Sequence, residues 1–387
     1  MQLVQLASSL VLILVALAVS VNSYTVPIQT YIESYRKTRA RTLIRSLYNL
    51  YQIPVSGLVR LKNTLLHKDL HGVYGGKVDY LIIYPVKAVS KGIKVTEWTA
   101  DNYGLKHDRQ YVLCSYDKEN NSYKPQLLRF APKLTTVDAS IDGDRFKFVY
   151  DNIVTNEQST FYLPMNVSDD YVRENSSLGS EMKKVQLWKS GLQGYVLDKV
   201  LSEDFIKSMN LLPDTVLIYS PAGKACKVGA PSNVDRKTLF HDYYPMLMCS
   251  QESFQYVKQS AGEKVDYVKM ESFRPNLVIC DIERPFEEDF YHKFDLVSKT
   301  GRMSFTGALK CIRCTIPNID LAVGVPDKKA TVSKTMAKYR RVDETNPYHS
   351  CFGMYVIQHQ ANFVIRQGDT IDLLRKKSLK MEENPFY

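Results

Sequence analysis

The chain has 387 residues, and its 44% hydrophobic content is that of a globular protein able to bury one large core or two ordinary ones. Part of the net charge of +10 is local: "YRKTRARTLIR" (35–45) holds Arg36, Lys37, Arg39, Arg41 and Arg45 with no acid, while the remainder is mixed, which argues against a nucleic-acid surface spread over the fold. Seven cysteines, an odd number and mostly scattered, argue against a tight secreted disulfide framework and for a reducing compartment.

In chain order, "LVQLASSLVLILVALAVSVN" (3–22) is uncharged and about as long as a bilayer core requires. The basic 36–45 flank reads as holding the rest of the chain on the cytosolic side of a signal anchor. A cleaved signal peptide, with Val21 and Ser23 near the cleavage site, is the competing reading. The sequons at Asn120, Asn166 and Asn175 belong with that secreted alternative. Residues 28–51 carry Ile28, Ile32, Tyr35, Leu43, Leu47 and Leu50 at helical spacing before Pro54, which predicts an amphipathic basic helix.

From Lys77 the texture changes. "KVDYLIIYPVK" (77–87), "RQYVLCSY" (109–116) and "DRFKFVYD" (144–151) mix β-branched and aromatic residues and are separated by turn clusters, which predicts strands. Leu192, Val196, Val200 and Phe205 predict a helical interval over 190–210. Strands resume at 215–221, 245–250, 276–281, 353–360 and 362–374, with short helices at 250–260 and 328–338. The expected fold class is α+β, mostly β: two β-barrel-like domains with a few helices, preceded by an N-terminal membrane helix. The expected division is an anchor at 1–27, a basic amphipathic helix and linker at 28–76, barrels at 77–200 and 201–376, and a tail at 377–387.

The sharpest chemical signal is "KCIRC", with Cys311 and Cys314 separated by two residues. Zinc needs four ligands, and no histidine lies near in sequence. A redox dithiol should close a strand and open a helix, whereas "TIPNID" reads as extended chain. Arg313 beside the thiols favours a thiolate and brings a guanidinium suited to phosphate. Lys87, Arg109, Arg129 and Arg274 each sit at the end of an apolar run, which suggests an anionic ligand held at one rim.

These segments, taken together and in this order, resemble the MOSC-domain family. "YPVKAVSKGIKVTEWTADNYGLKHDRQYVL" and "LLRFAPKL" resemble its N-terminal β-barrel part. "FRPNLVI", "KCIRCTIPNIDLAVG", "GMYVI" and "IRQGDTIDLL" resemble the MOSC domain itself. The architecture is most similar to the membrane-anchored amidoxime-reducing branch of that family. The resemblance implies a molybdenum-molybdopterin cofactor with Cys314 as metal ligand and catalytic residue. It further implies cofactor contacts from Lys87, Arg109, Arg274, Asn276, Ile312, Arg313 and Tyr355, and leaves Cys311 as a packed neighbour. It implies reduction of N-hydroxylated compounds such as amidoximes and hydroxylamines, with electrons from a cytochrome b5-type haem protein and an NADH-dependent flavin reductase. It also implies a cytosol-facing protein on the mitochondrial outer membrane in preference to the endoplasmic reticulum. Ala88, Leu127, Tyr243, Tyr244 and Ile312 depart from the family's usual residues and put the pocket's polarity in question. A cofactor-binding or carrier protein without turnover is the alternative they raise.

Overall fold

In the computed structural model, residues 72–187, 190–225, 237–262, 265–343 and 346–376 are described, and all belong to one compact unit. The expected anchor and the helix over 28–51 lie outside them. Among the described residues no helix is long and apolar enough to cross a membrane.

Strands dominate the regular structure of the described residues, which also holds four α-helices. Seven strands close into a barrel. Val73–Ile83 pairs with Leu277–Cys280, which runs parallel to Met246–Ser250. The circuit continues through Cys351–Gln358, Gly301–Ile312, Tyr291–Ser298 and Thr370–Lys376, which returns to Val73–Ile83. A smaller barrel joins Tyr111–Asp117, Val216–Tyr219, Ser190–Leu197, Met182–Leu187 and Ser122–Pro125, again back to its first strand. Closure removes exposed edges, which is how such strand-rich chains avoid edge-to-edge pairing.

Two strands cross the expected boundary between barrels. Val73–Ile83, from the early part of the chain, completes the larger barrel, and Val216–Tyr219 completes the smaller. The early strand then feeds Val86–Lys87, which pairs in parallel with Tyr111–Val112 of the other barrel. One short stretch therefore stitches both barrels together.

The helical expectation over 190–210 is overturned. Residues 190–197 form a strand, and only Glu203–Ser208 is helical, capped by the Ser202 hydroxyl. Leu192 and Val196 are buried as expected, but four-residue spacing satisfies a period of two as well as 3.6. They pack with Val112, Val185 and Ile218 inside the smaller barrel, whereas Phe205 joins the main core. The helices expected at 250–260 and 328–338 are present as Gln251–Ala261 and Thr331–Met336.

A second apolar cluster lies under the junction, where Tyr84, Leu247, Cys249, Phe273, Cys311 and Phe352 are all buried. Phe273 and Phe352 meet with ring centroids 4.1 Å apart. The strand Cys351–Gln358 reaches this layer only because Gly353 has no side chain: a Cβ there would lie 2.6 Å from Cys249 Sγ. Its φ of +79° also favours glycine.

Candidate functional site

A cavity of about 730 Å³ opens at the junction of the two barrels. All eight residues that the family resemblance singles out line it: Lys87 and Arg109 from the early segments, Arg274 and Asn276 ahead of strand Leu277–Cys280, Ile312 at the end of strand Gly301–Ile312 with Arg313 and Cys314 just beyond it, and Tyr355 from the paired strand Cys351–Gln358. Arg129 lines it as well. Residues separated by more than two hundred positions thus share one wall.

Local backbone chemistry explains how they arrive there. The ladder between Gly301–Ile312 and Cys351–Gln358 shifts register between Lys310 and Ile312, a bulge that re-aims the chain just as it leaves the strand. Arg313 N then donates to Ser350 O at 2.8 Å, and a 3-10 turn at Ile316–Asn318 comes next, correcting the extended reading of "TIPNID". Neither a strand–helix dithiol nor a zinc set results. Among the described residues no three His, Cys, Asp or Glu side chains converge on a metal position.

Arg109 and Arg274 both occupy the left-handed region, with φ of +52° and +55°, and Ala88 and Ser90 do so at +68° and +60°. Non-glycine residues pay a steric cost there that the surroundings must offset. The compensation is visible. Arg109 N donates to Tyr84 O at 2.7 Å, Phe240 N donates to Arg109 O at 3.1 Å, and Ser90 N donates to Leu134 O at 2.8 Å.

Asp108 is the hub beneath the cavity floor, and in the sequence it stands out only as the residue before Arg109. It is fully buried. Its carboxylate accepts from Tyr84 N at 2.7 Å, from Asn276 Nδ2 at 2.9 Å, from His241 Nε2 at 3.0 Å and from the Arg109 guanidinium. Burial raises its pKa, but Arg109 and His241 outweigh that and hold it below the usual carboxylate range. Asn276 in turn receives Arg109 Nη1 on Oδ1 at 3.2 Å and donates from Nδ2 to Ile82 O at 3.2 Å. Asn276 is thus a framework residue as much as a lining one.

The cavity is cationic and incompletely neutralised. Lys87 Nζ is 2.7 Å from Asp242 Oδ1, yet burial still lowers the lysine pKa. Arg274 lies with its guanidinium 4.1 Å from the Tyr84 ring centroid and donates to Ser90 O at 2.9 Å. Burial, aided by repulsion from Arg109, brings its pKa down to about 10, so it remains charged at neutral pH. Its Nη2, like Arg313 Nε, is buried with no hydrogen-bond partner. Buried donors without acceptors cost free energy that an incoming anion recovers.

The two cysteines part company. Cys311 is buried, and its sulfur accepts from Arg313 Nη1 at 3.1 Å. Cys314 is exposed to the cavity. Burial in the surrounding protein nonetheless pushes its pKa up, and Arg313 pulls only partly against this. Arg313 favours the Cys314 thiolate as expected, but burial outweighs it and leaves the free thiol's pKa raised; a bound metal would take the proton off regardless.

Tyr244 lines the cavity next to Tyr355, and the rings of Tyr243 and Tyr244 lie with centroids 5.8 and 5.7 Å from that of Tyr355. Tyr244 and Tyr355 make that wall aromatic. His349 also lines the cavity, its Nδ1 2.6 Å from Asn346 Oδ1. Its segment, "NPYHS", has no periodicity that would have drawn attention to it.

His241 supplies a test of the hub. Burial lowers its pKa below 6.5, so the folded state holds it neutral. A folded pKa below the unfolded one gives stability that is present above pH about 6.5 and is lost as pH falls through the folded value. His241→Gln keeps a donor for Asp108 but does not titrate. The urea midpoint difference between His241→Gln and wild type is expected to move in favour of the variant between pH 7 and pH 5. Glu288, raised to about 7 by burial and by Asp289, has the opposite slope, but it is common to both proteins and cancels.

Two family models match the chain: "MOSC N-terminal beta barrel domain" over residues 75–196 and "MOSC domain" over 235–372. Mitochondrial amidoxime reducing component 2 of Rattus norvegicus is 32% identical over 309 residues, covering 76% of this chain and 82% of its own. Molybdenum cofactor sulfurase of Solanum lycopersicum is 25% identical over 67% of this chain, which spans only 31% of the sulfurase. The human amidoxime reducing component 2 is 30% identical over 34% of this chain and 38% of its own. A cationic cavity between two closed barrels, bordered by the CIRC segment, and these similarities agree: the chain belongs to the MOSC-domain family.

Proposed function

We propose that this protein is a molybdenum-cofactor-dependent oxidoreductase that reduces N-oxygenated compounds such as amidoximes and hydroxylamines. The observation that carries the reading is the convergence of Cys314, the one exposed described cysteine, with four buried or half-buried cations on one cavity. The donor set fits a pterin cofactor bearing a phosphate. Arg274 and Arg313 retain unpartnered buried N–H groups for an anion, Lys87 and Arg109 add positive potential, and Cys314 offers a sulfur. Molybdenum held on Cys314 would supply two-electron redox chemistry.

The chain's own groups orient and protonate. The Asp108 hub fixes Arg109 and Asn276, and the stacked Tyr84 ring braces Arg274. Cleaving the N–O bond takes two electrons and two protons, giving the N–H product and water. Asp242, exposed and paired with Lys87, and His349, held by Asn346, are the cavity-facing groups able to pass those protons. Tyr244 and Tyr355, with Tyr243 packed against Tyr355, shape an aromatic wall suited to a flat, conjugated substrate. Electrons would come from a cytochrome b5-type haem protein fed by an NADH-dependent flavin reductase. The apolar 3–22 segment would tether the protein to a membrane, the mitochondrial outer membrane in the first instance.

Full-length protein made in a host that synthesises the cofactor is expected to convert an amidoxime to the amidine when supplied with chemically reduced viologen. Pterin bound without turnover under any reductant would instead support a carrier.

A further inference from the structure

The opening of the cavity is framed by large apolar side chains left in water. Tyr348 is 72% exposed and Phe130 73%, and Val323 and Val325 are 56% each. They belong to one rim. Tyr348 itself lines the cavity, as do Leu128 and Arg129 beside Phe130. The hairpin Ile319–Asp320/Val325–Pro326 is pressed onto the Phe130 segment so closely that a side chain at Gly324 would meet the Lys133 backbone at 2.7 Å.

The same rim is basic. Lys328, Lys329, Lys334, Lys338 and Arg341 are exposed on the helix Thr331–Met336 and its flanks, and Ser333 and Ala337 of that segment line the cavity. None of the five forms an ion pair among the described residues. Asp327, beside Lys328 and Lys329, accepts from Lys329 N and Thr331 N, both at 2.8 Å, and Asp343, beside Arg341, is buried.

We infer that this rim seats on an anionic lipid surface, with Phe130, Val323, Val325 and Tyr348 entering the interface and the lysines meeting headgroups. Charge complementarity selects an anionic occupant. The composition then selects lipid: protruding apolar and aromatic side chains among lysines mark membrane-interface elements, whereas lysine is depleted in protein–protein interfaces. The cavity mouth would then open at the bilayer, where apolar substrates partition. The inference holds whether or not a cofactor fills the cavity.

The test uses the full-length chain with Tyr348→Trp, reconstituted in vesicles whose acyl chains are brominated, with the parent protein's emission subtracted. Quenching of the new tryptophan is expected in phosphatidylserine-rich vesicles and not in pure phosphatidylcholine. Each lysine changed to glutamate is expected to weaken surface attachment by roughly five-fold. The variant K328E/K329E/K334E/K338E, made in the same tryptophan background, should therefore lose the quenching while keeping that background's urea unfolding midpoint in detergent. Phe130→Trp repeats the measurement if Tyr348→Trp fails to fold. A rim tryptophan left unquenched in phosphatidylserine-rich vesicles overturns the inference. So does protection of these lysines from acetylation by a soluble acidic protein but not by vesicles.

Discussion

Asp108→Ala is expected to cost about 3–5 kcal/mol, because it removes one partner of a buried ion pair and leaves the other charge behind. The Arg109 guanidinium would lose its buried counterion, and Tyr84 N, Asn276 Nδ2 and His241 Nε2 would each lose an acceptor. A loss of that size is a large fraction of an ordinary domain's stability. The consequences extend past stability, since Tyr84 carries the ring against which Arg274 and Arg109 lie, at 4.1 and 4.8 Å. Asp108→Asn should be milder, as it preserves an acceptor for Tyr84 N. Urea unfolding of the two variants separates the outcomes. Equal, small shifts for both would show that Asp108 does not anchor the floor.

How much of this was legible in sequence depends on whether the cause was local. Lys87, Arg109, Arg274, Arg313 and Cys314 stand in short segments whose order carries family information, and all five line one cavity. The resemblance also separated Cys314 from Cys311; both line the cavity, but Cys314 is exposed whereas the Cys311 sulfur is buried and accepts from Arg313. Asp108 was in plain view beside Arg109, but its partners lie 24, 133 and 168 residues away. Nothing in "KHDRQ" announces Tyr84, His241 and Asn276. His241, Asp242 and His349 were hidden for the same reason, each placed by tertiary packing and not by a local pattern.

The fold errors have related origins. Leu192 and Val196 fit a strand and a helix equally, and the pairing of residues 190–197 with Met182–Leu187 and Val216–Tyr219 decided between them. The barrel boundary was blurred because Val73–Ile83 finds its partners at Leu277–Cys280 and Thr370–Lys376, near the far end of the chain. Long-range strand pairing leaves no periodic trace in either partner. The expectation about the Cys314 thiolate held in direction, since Arg313 favours it, but burial outweighs that effect.

The second large effect concerns the metal. Cys314→Ala is expected to remove the exposed one of the two cysteines that line the cavity among the described residues while leaving the fold intact, since that side chain is not packed in any buried cluster. Cys311→Ala, by contrast, takes a sulfur from beneath Arg313 and should cost stability, on the order of 1–2 kcal/mol for a lost buried contact. The two variants therefore divide stability from metal retention.

The direct measurement is molybdenum and pterin stoichiometry of wild type, Cys314→Ala and Cys311→Ala, each made in a host that synthesises the cofactor. Molybdenum bound by wild type and Cys311→Ala, but absent or greatly reduced in Cys314→Ala, with amidoxime reduction lost in parallel, is the predicted result. Cys314→Ala that retains full molybdenum and full reduction of hydroxylamines or amidoximes would contradict it.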